Sequence, residues 1–172
     1  MNSSLQCLSF KKLLLPFCLF VCFGFFCIHA KAQENPPKPI SVTVSVLQHL
    51  NFGTIIPNGA GGGTVTVDFT GLRTYTGQII LPATGSFCSP ALFQVTSIPG
   101  TLITIMNGPP AILTAPGGTL HLTIGPSSTG SPFISTSSST DVFIGGTLTV
   151  GDLIANPAGA YSGTFDVTFI QQ

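Results

Sequence analysis

Tryptophan is absent from this chain, tyrosine occurs twice, and charged residues make up 6% of it. The scarcity of charge is the most restrictive of these. Lys and Arg together number five, and three of them (Lys11, Lys12 and Lys31) stand before residue 32. A nucleic-acid partner needs many cations to displace condensed counterions, so the composition argues against one. From Gln33 onward, Lys38 and Arg73 face Glu34, Asp68, Asp141, Asp152 and Asp166, a net charge of −3. Ser and Thr are left to wet the surface, which fits a protein living in an assembly or on a cell surface. Cysteine is equally short. Cys7, Cys18, Cys22 and Cys27 all precede residue 32, and Cys88 stands alone after it. A single thiol excludes an intrachain disulfide. It reads as a small buried hydrophobe, with an intermolecular disulfide as the minority alternative. No stretch shows a 3.6-residue apolar period, so no helix is expected.

The longest apolar run, Leu13 to Ile28, has sixteen residues and is interrupted by Pro16. That falls short of the roughly 20 residues that span a bilayer. Lys11-Lys12 before it and Ala30-Lys31-Ala32 after it complete the pattern of a secretory signal peptide, residues 1–32, cut before Gln33. The expectation is export through the Sec pathway to the periplasm, cell surface or medium, with no transmembrane segment after cleavage. Neither Cys18 nor Cys27 follows the small residues that lipid attachment requires. The remaining 140 residues suit one domain, 40–172, behind a Pro-rich lead-in, 33–39.

Period-2 alternation then recurs along the chain. Ile40 to Val46 puts Ile40, Val42, Val44 and Val46 on one face. Leu50 to Ile56 reads as a kinked second strand, Pro57 to Gly63 as a loop, and Thr64 to Phe69 as a strand. A turn at Thr70 to Arg73 precedes a strand at Thr76 to Leu81, and Pro82 to Pro90 is a loop. Ala91 to Ser97 and Thr101 to Met106 read as a hairpin about Ile98-Pro99-Gly100, broken off by Asn107 to Pro110. Ala111 to Thr114 and Thr119 to Ile124 follow, then a long Ser/Thr/Gly/Pro segment, Gly125 to Thr140. Val142 to Val150 and the closing run Tyr161 to Phe169 end the pattern, with the C-terminus fixed into a sheet. Short strands and many turns predict an all-β, immunoglobulin-like sandwich of about 8–10 antiparallel strands, with a closed barrel as the alternative.

Candidate chemistry is thin. A base or metal site would need His49 and His121 to meet Asp68 or Asp152 in space, and half-exposed strand or turn positions are the ordinary reading. Asp141, Asp152 and Asp166 have no compact calcium-loop spacing. Gly59 to Gly63 lacks the Lys and following helix of a phosphate cradle. Tyr75 and Phe133 could stack on sugars, though isolated aromatics more often pack a core or an edge. No catalytic, cofactor-binding or metal residue is therefore assigned, and a non-enzymatic protein is expected.

Leu50-Asn51-Phe52-Gly53, then Gly62 to Val67, then Ile144 to Gly151 and Gly159 to Phe169 stand in a fixed order, with Ser89 to Val95 and Pro99-Gly100-Thr101 between. This series resembles the bacterial domain-of-unknown-function family 4402, DUF4402, in its Bacteroidota form, over nearly all of residues 38–172. The resemblance implies an exported protein with an immunoglobulin-type sandwich and brings no established activity. A more distant likeness is to spore-coat-U and archaic chaperone–usher pilin domains, which share an LNFG-like element and a closing Tyr-x-Gly strand. That likeness implies structural subunits joined by donated strands, although the early Cys pair usual in those pilins is missing here.

The expectation is an exported, non-enzymatic cell-surface or extracellular structural protein, fimbria-like or adhesive. A secreted monomeric module binding carbohydrate or another ligand is the alternative. The one partner suggested is another copy of the chain or a surface subunit, through Ile40 to Val46. The short link to Leu50 favours pairing of that strand within its own domain.

Overall fold

The computed structural model describes residues 41–44, 48–58, 61–83 and 86–172. The segment read as a signal peptide, 1–32, the lead-in 33–39, Ile40 and Val46 lie outside the described residues. Residues 38–172 form one compact unit. Its strands in chain order are β1 (Ser41–Val44), β2 (Ile56–Pro57), β3 (Gly63–Val67), β4 (Arg73–Gly77), β5 (Ile79–Ile80) and β6 (Ala91–Thr96). They continue with β7 (Leu102–Asn107), β8 (Ala111–Ala115), β9 (Gly118–Ser127), β10 (Phe133–Ile134), β11 (Ser139–Val150) and β12 (Val167–Gln171). The described residues contain no helix. Every strand pairing is antiparallel. Twelve strands exceed the expected count because β2, β5 and β10 are two-residue pieces; the other nine are four residues or longer.

The molecule is a β-sandwich. A seven-stranded sheet holds β1, β6, β11, β3, β4, β8 and β9; a three-stranded sheet runs β10-β7-β12; β2 and β5 form a separate pair. The axis of the large sheet is β11. Its first half pairs with β6, and its second half pairs with both β3 and β9. Its alternating residues Val142, Ile144, Leu148 and Val150 are buried, as their shared parity predicts. Between Ile144 and Gly146 the β9 register slips by one residue, a bulge at Gly125-Pro126, where proline has no N–H to give the ladder.

Two hydrophobic clusters share the interior. One lies between the sheets: Ala91, Phe93 and Val95 of β6 and Val142 and Ile144 of β11 face Ile103 and Ile105 of β7 and Phe133 of β10. The other holds Phe52, Val65, Val67, Ile79, Leu120, Leu122, Leu148 and Val150. Leu50, Ile124 and Phe165 pack against both. The second cluster has the large sheet on one side only; loops and Ile79 of the β2–β5 pair complete it.

Several expectations change. Ala91 to Ser97 and Thr101 to Met106 are no hairpin: β6 and β7 belong to different sheets and face each other across the first cluster. Alternation marks which side chains enter a core and is the same for adjacent and for facing strands. The crossing is fastened by Ser135, whose carbonyl accepts from Gly100 N (2.7 Å) and whose hydroxyl donates to Ile98 O (2.8 Å). Leu50 to Ile56 is not a continuous strand but one bridge, Asn51 to Ser89, followed by β2, which takes in Pro57. The strand expected from Thr76 begins at Arg73 and divides into β4 and β5. Its turn closes earlier because the Asp68 carboxylate accepts from Thr70 N (2.8 Å), Thr70 Oγ1 (2.6 Å) and Leu72 N (3.0 Å). The Thr70 hydroxyl, followed by these and neighbouring backbone N–H groups, holds that carboxyl below its usual range. The segment Gly125 to Thr140 is shortened from both ends by β9 and β11, and β10 lies inside it. The closing strand starts at Val167, and the chain from Tyr161 to Asp166 reaches it by a single bridge, Ser162 to Thr114.

Strand β1 pairs with β6, Ser41 opposite Thr96 and Val44 opposite Phe93, at the edge of its own large sheet. Gln172 N donates to Leu102 O (3.0 Å), so the C-terminus is held in the small sheet, as expected. Two threonine-rich rows cross the outer face of the large sheet, and Asp141 lies on the same face near the start of β11. Register puts Thr74, Thr66, Thr147 and Thr123 in one row, and Thr76, Thr64, Thr149, His121 and Ile112 in the next. Hydroxyls meet along these rows, Thr64 to Thr76 at 2.7 Å and Thr66 to Thr147 at 2.9 Å.

Candidate functional site: an apolar cleft over the second cluster

Where the large sheet lacks a facing sheet, a cleft of about 560 Å³ opens over its buried face. Its floor is Leu113 of β8, Leu120 of β9, and Leu148 and Val150 of β11. Residues 50–57 form one wall, and Leu153 with residues 156–161 the other. Among the described residues, no charged side chain lines it.

The first wall is shaped by Leu50-Asn51-Phe52-Gly53. Asn51 pairs through its backbone with Ser89 (2.8 and 2.9 Å), and its side-chain oxygen accepts from Gly53 N (2.8 Å). Phe52 is thereby turned into the second cluster, where it is buried. Gly53 has φ +70°, and a Cβ there would fall 2.4 Å from Ser86 Oγ and 2.6 Å from Arg73 Nη1, so only glycine fits. Arg73 is the clamp. Its Nη1 donates to Phe52 O (2.8 Å), Thr54 O (3.4 Å) and Ser86 Oγ (2.8 Å), while Thr54 N donates to the same hydroxyl (2.7 Å). Charge composition marked Arg73 as rare and gave it no role. The side chain that binds the wall together is a partner of backbone carbonyls far along the chain, which no local pattern announces.

The second wall is a turn closed on itself. Asp152 Oδ1 accepts from Ile154 N (3.0 Å) and Ala155 N (2.8 Å), and Asp152 O accepts from Asn156 N (2.8 Å). Asn156 is buried; its side chain accepts from Gly151 N and donates to Thr119 O (2.6 Å). The Tyr161 hydroxyl donates to Pro157 O (2.8 Å), so the ring lies in the wall with its polar end satisfied. Two residues on, Gly163 passes so close to β8 that a Cβ would stand 2.5 Å from Ile112 O. The closing Tyr-x-Gly element is thus a packing device: the tyrosine walls the cleft and the glycine lets the chain cross β8.

The other candidates lie elsewhere. His49 is exposed, with its carbonyl accepting from Ser89 Oγ (2.8 Å), and His121 is exposed on the outer face of β9. Asp68 caps the β3–β4 turn and Asp152 the second wall, so neither histidine is brought onto a carboxylate through them. Asp141 accepts from Gln94 Nε2 (3.4 Å), and exposed Asp166 receives Gly108 N on its carbonyl (2.8 Å). Among the described residues, no three His, Cys, Asp or Glu side chains converge. Cys88 is half-buried against the second cluster and points at Gly71 O (3.6 Å). Phe133 is core, whereas Tyr75 is exposed on the edge strand β4. Gly59 lies outside the described residues, and Gly63 opens β3. No helix among the described residues is long and apolar enough to cross a membrane.

The family model for DUF4402, a domain of unknown function, matches residues 40–170. No curated protein and no solved structure matches the chain.

Proposed function

We propose, from the premise that the chain belongs to the DUF4402 family, that it is exported through the Sec pathway and serves as a non-enzymatic structural or adhesive protein of the cell surface. The finer affinities, to the Bacteroidota form of the family and more distantly to spore-coat-U and archaic pilin domains, belong to the same reading. One observation carries it: the recess this fold builds is an uncharged apolar cleft whose polar wall groups are spent on holding the walls. Such a surface recognises by burying apolar area. The threonine rows agree with a protein that wets its surface without charge.

A second reading is a secreted monomeric module that holds a neutral ligand in the cleft. Its support is size, since about 560 Å³ falls within the roughly 300–1,000 Å³ of ordinary ligand sites. Size-exclusion and negative-stain microscopy of the exported protein separate the two. Filaments, ladders or discrete oligomers are the expected result. A clean monomer that retains a glycan or an apolar ligand would replace the first reading with the second. Two surfaces are candidates for association, the cleft and strand β1, and the seat of β1 beside β6 in its own sheet favours self-pairing over donation.

A further inference from the structure

Among the described residues, three strands bound the large sheet: β1, β4 and β8. A bounding strand offers a row of unpaired N–H and C=O groups, and folded proteins blunt such rows with proline, charge or cover. Strand β1 follows Pro36, Pro37 and Pro39. Strand β8 follows Pro109-Pro110 and is crossed by the closing segment, at the Ser162 bridge to Thr114 and the close passage of Gly163 beside Ile112 O. Strand β4 has none of these guards. It holds no proline, and its one charge is turned inward, because the Arg73 head is spent on Phe52 O, Thr54 O and Ser86 Oγ. Thr74, Tyr75, Thr76 and Gly77 are all exposed. Asp68 N donates to Leu72 O (3.0 Å) and Gln78 N to Gly62 O (2.8 Å). Alternation between those two bonds turns the N–H and C=O of Thr74 and Thr76 toward β3, and those of Arg73, Tyr75 and Gly77 away from it. Among the described residues, no other strand pairs with this outward set.

The sheet itself shows which strand suits that edge. Strands β11, β3 and β4 lie side by side, and each carries Thr-x-Thr on the outer face, at 147–149, 64–66 and 74–76. Their hydroxyls pair across the strands, Thr66 with Thr147 and Thr64 with Thr76. Strands β3 and β11 are paired on both sides, so β4 is the one of the three with an open side. The core of β4, Thr74-Tyr75-Thr76, also reads alike in both directions. Such a strand meets its own copy, antiparallel, with Thr opposite Thr and Tyr opposite Tyr.

We infer that β4 pairs with β4 of a second copy, antiparallel about a two-fold axis at Tyr75, joining two large sheets into one. The surface is separate from the cleft and from β1, and the inference does not rest on what the cleft holds. A two-fold contact uses the same patch on both subunits, and an axis normal to the sheet makes the paired strands antiparallel. Tyr75 then exchanges N–H and C=O with its copy, and Arg73 does so with Gly77 of the second copy. Thr74 stands opposite Thr76 of the second copy, so both threonine rows cross the junction. The Tyr75 rings, on the face of buried Val65, become a cross-strand aromatic pair.

The test is sedimentation equilibrium of the purified exported protein over a wide concentration range, with Tyr75→Pro beside it. Proline at 75 removes an N–H that the chain's own ladder does not use, and an edge strand tolerates proline on that side. The wild type should show a monomer–dimer equilibrium. Each dimer of Tyr75→Pro loses two hydrogen bonds and the ring pair, which should raise the dissociation constant at least about tenfold. A second measurement does not depend on weakening the contact. In a Cys88→Ser background, Thr74→Cys and Thr76→Cys chains are mixed under mild oxidation. Opposite residues of a non-hydrogen-bonded pair stand about 4.5 Å apart at Cα, within disulfide reach. The mixture should give a disulfide-linked dimer in far higher yield than either variant alone. A wild type that stays monomeric, a dimer undisturbed by Tyr75→Pro, or cross-linking no greater in the mixture than in the single variants would overturn the inference.

Discussion

At the scale of single residues, Leu50-Asn51-Phe52-Gly53 and the arginine that clamps it turn out to be solutions to packing problems. Gly53 is left-handed and pressed against Ser86 and Arg73. Asn51 closes the turn that aims Phe52 inward. Arg73, half-buried, replaces the water that two carbonyls and a hydroxyl would otherwise need. Hydrogen bonds to a charged donor are worth roughly 1.5–3 kcal/mol each when the partner is then left unsatisfied. Arg73→Ala is thus expected to cost about 2–4 kcal/mol in chemical denaturation. Arg73→Lys should recover part of this, because the three acceptors gather on the one nitrogen Nη1, whose place an ammonium with three donors can take only as far as its shorter stem reaches. The two variants should also differ in where the damage lies: the wall at 50–57 loosens while the β6–β7 core is unmoved. An Arg73→Ala protein with the wild-type midpoint would show that the clamp is ornamental.

At the scale of elements, the sequence disclosed which residues are inside and concealed which strands are neighbours. Val142, Ile144, Leu148 and Val150 were readable as one buried face because β11 is long and regular. The supposed hairpin of β6 and β7 failed for a reason of geometry, since facing strands and paired strands carry the same alternation. The cleft was not legible at all. It arises where the small covering sheet ends before the large sheet does, and its walls, one in residues 50–57 and the other in 153–161, lie about a hundred residues apart in the chain. The closing element was half legible: its apolar parity is right, but only Val167 to Gln171 is strand, and its aromatics are half-buried, not fully enclosed. Phe93 receives both of them, Phe165 edge-on at 6.4 Å between ring centroids and Phe169 tilted at 5.6 Å. Truncating a core Phe costs about 3–5 kcal/mol, and partial exposure places these two near the lower bound. Phe165→Ala and Phe169→Ala should each lower the melting temperature by roughly 10 °C. Of the two, Phe165→Ala should disturb both clusters, because it packs against both, and Phe169→Ala only the first. Equal, small effects from both would contradict the placement of the closing strand.

At the scale of the whole molecule, the question is whether two clusters make two folding units. The first is enclosed by two sheets; the second has a sheet on one side, and loops with Ile79 of the β2–β5 pair on the other. Enclosure alone would predict that the second opens first. Against that, β11 contributes to both, with Val142 and Ile144 in one and Leu148 and Val150 in the other, and Leu50, Ile124 and Phe165 touch both. A twelve-residue strand paired on β6, β3 and β9 is not freed at one end without exposing the other cluster's ladder. We therefore expect one cooperative transition for the ladders of β3, β6, β7, β9 and β11, with the cleft walls opening below it. Native-state amide exchange at increasing denaturant reads this directly. Amides of 50–57 and 151–161 should exchange through local openings of low free energy. Those of β3 and β9 should merge with those of β6 and β7 at the global value. If β3 and β9 instead exchange through a separate opening while β6 and β7 remain protected, β11 does not couple the halves, and the cleft belongs to a unit that unfolds alone.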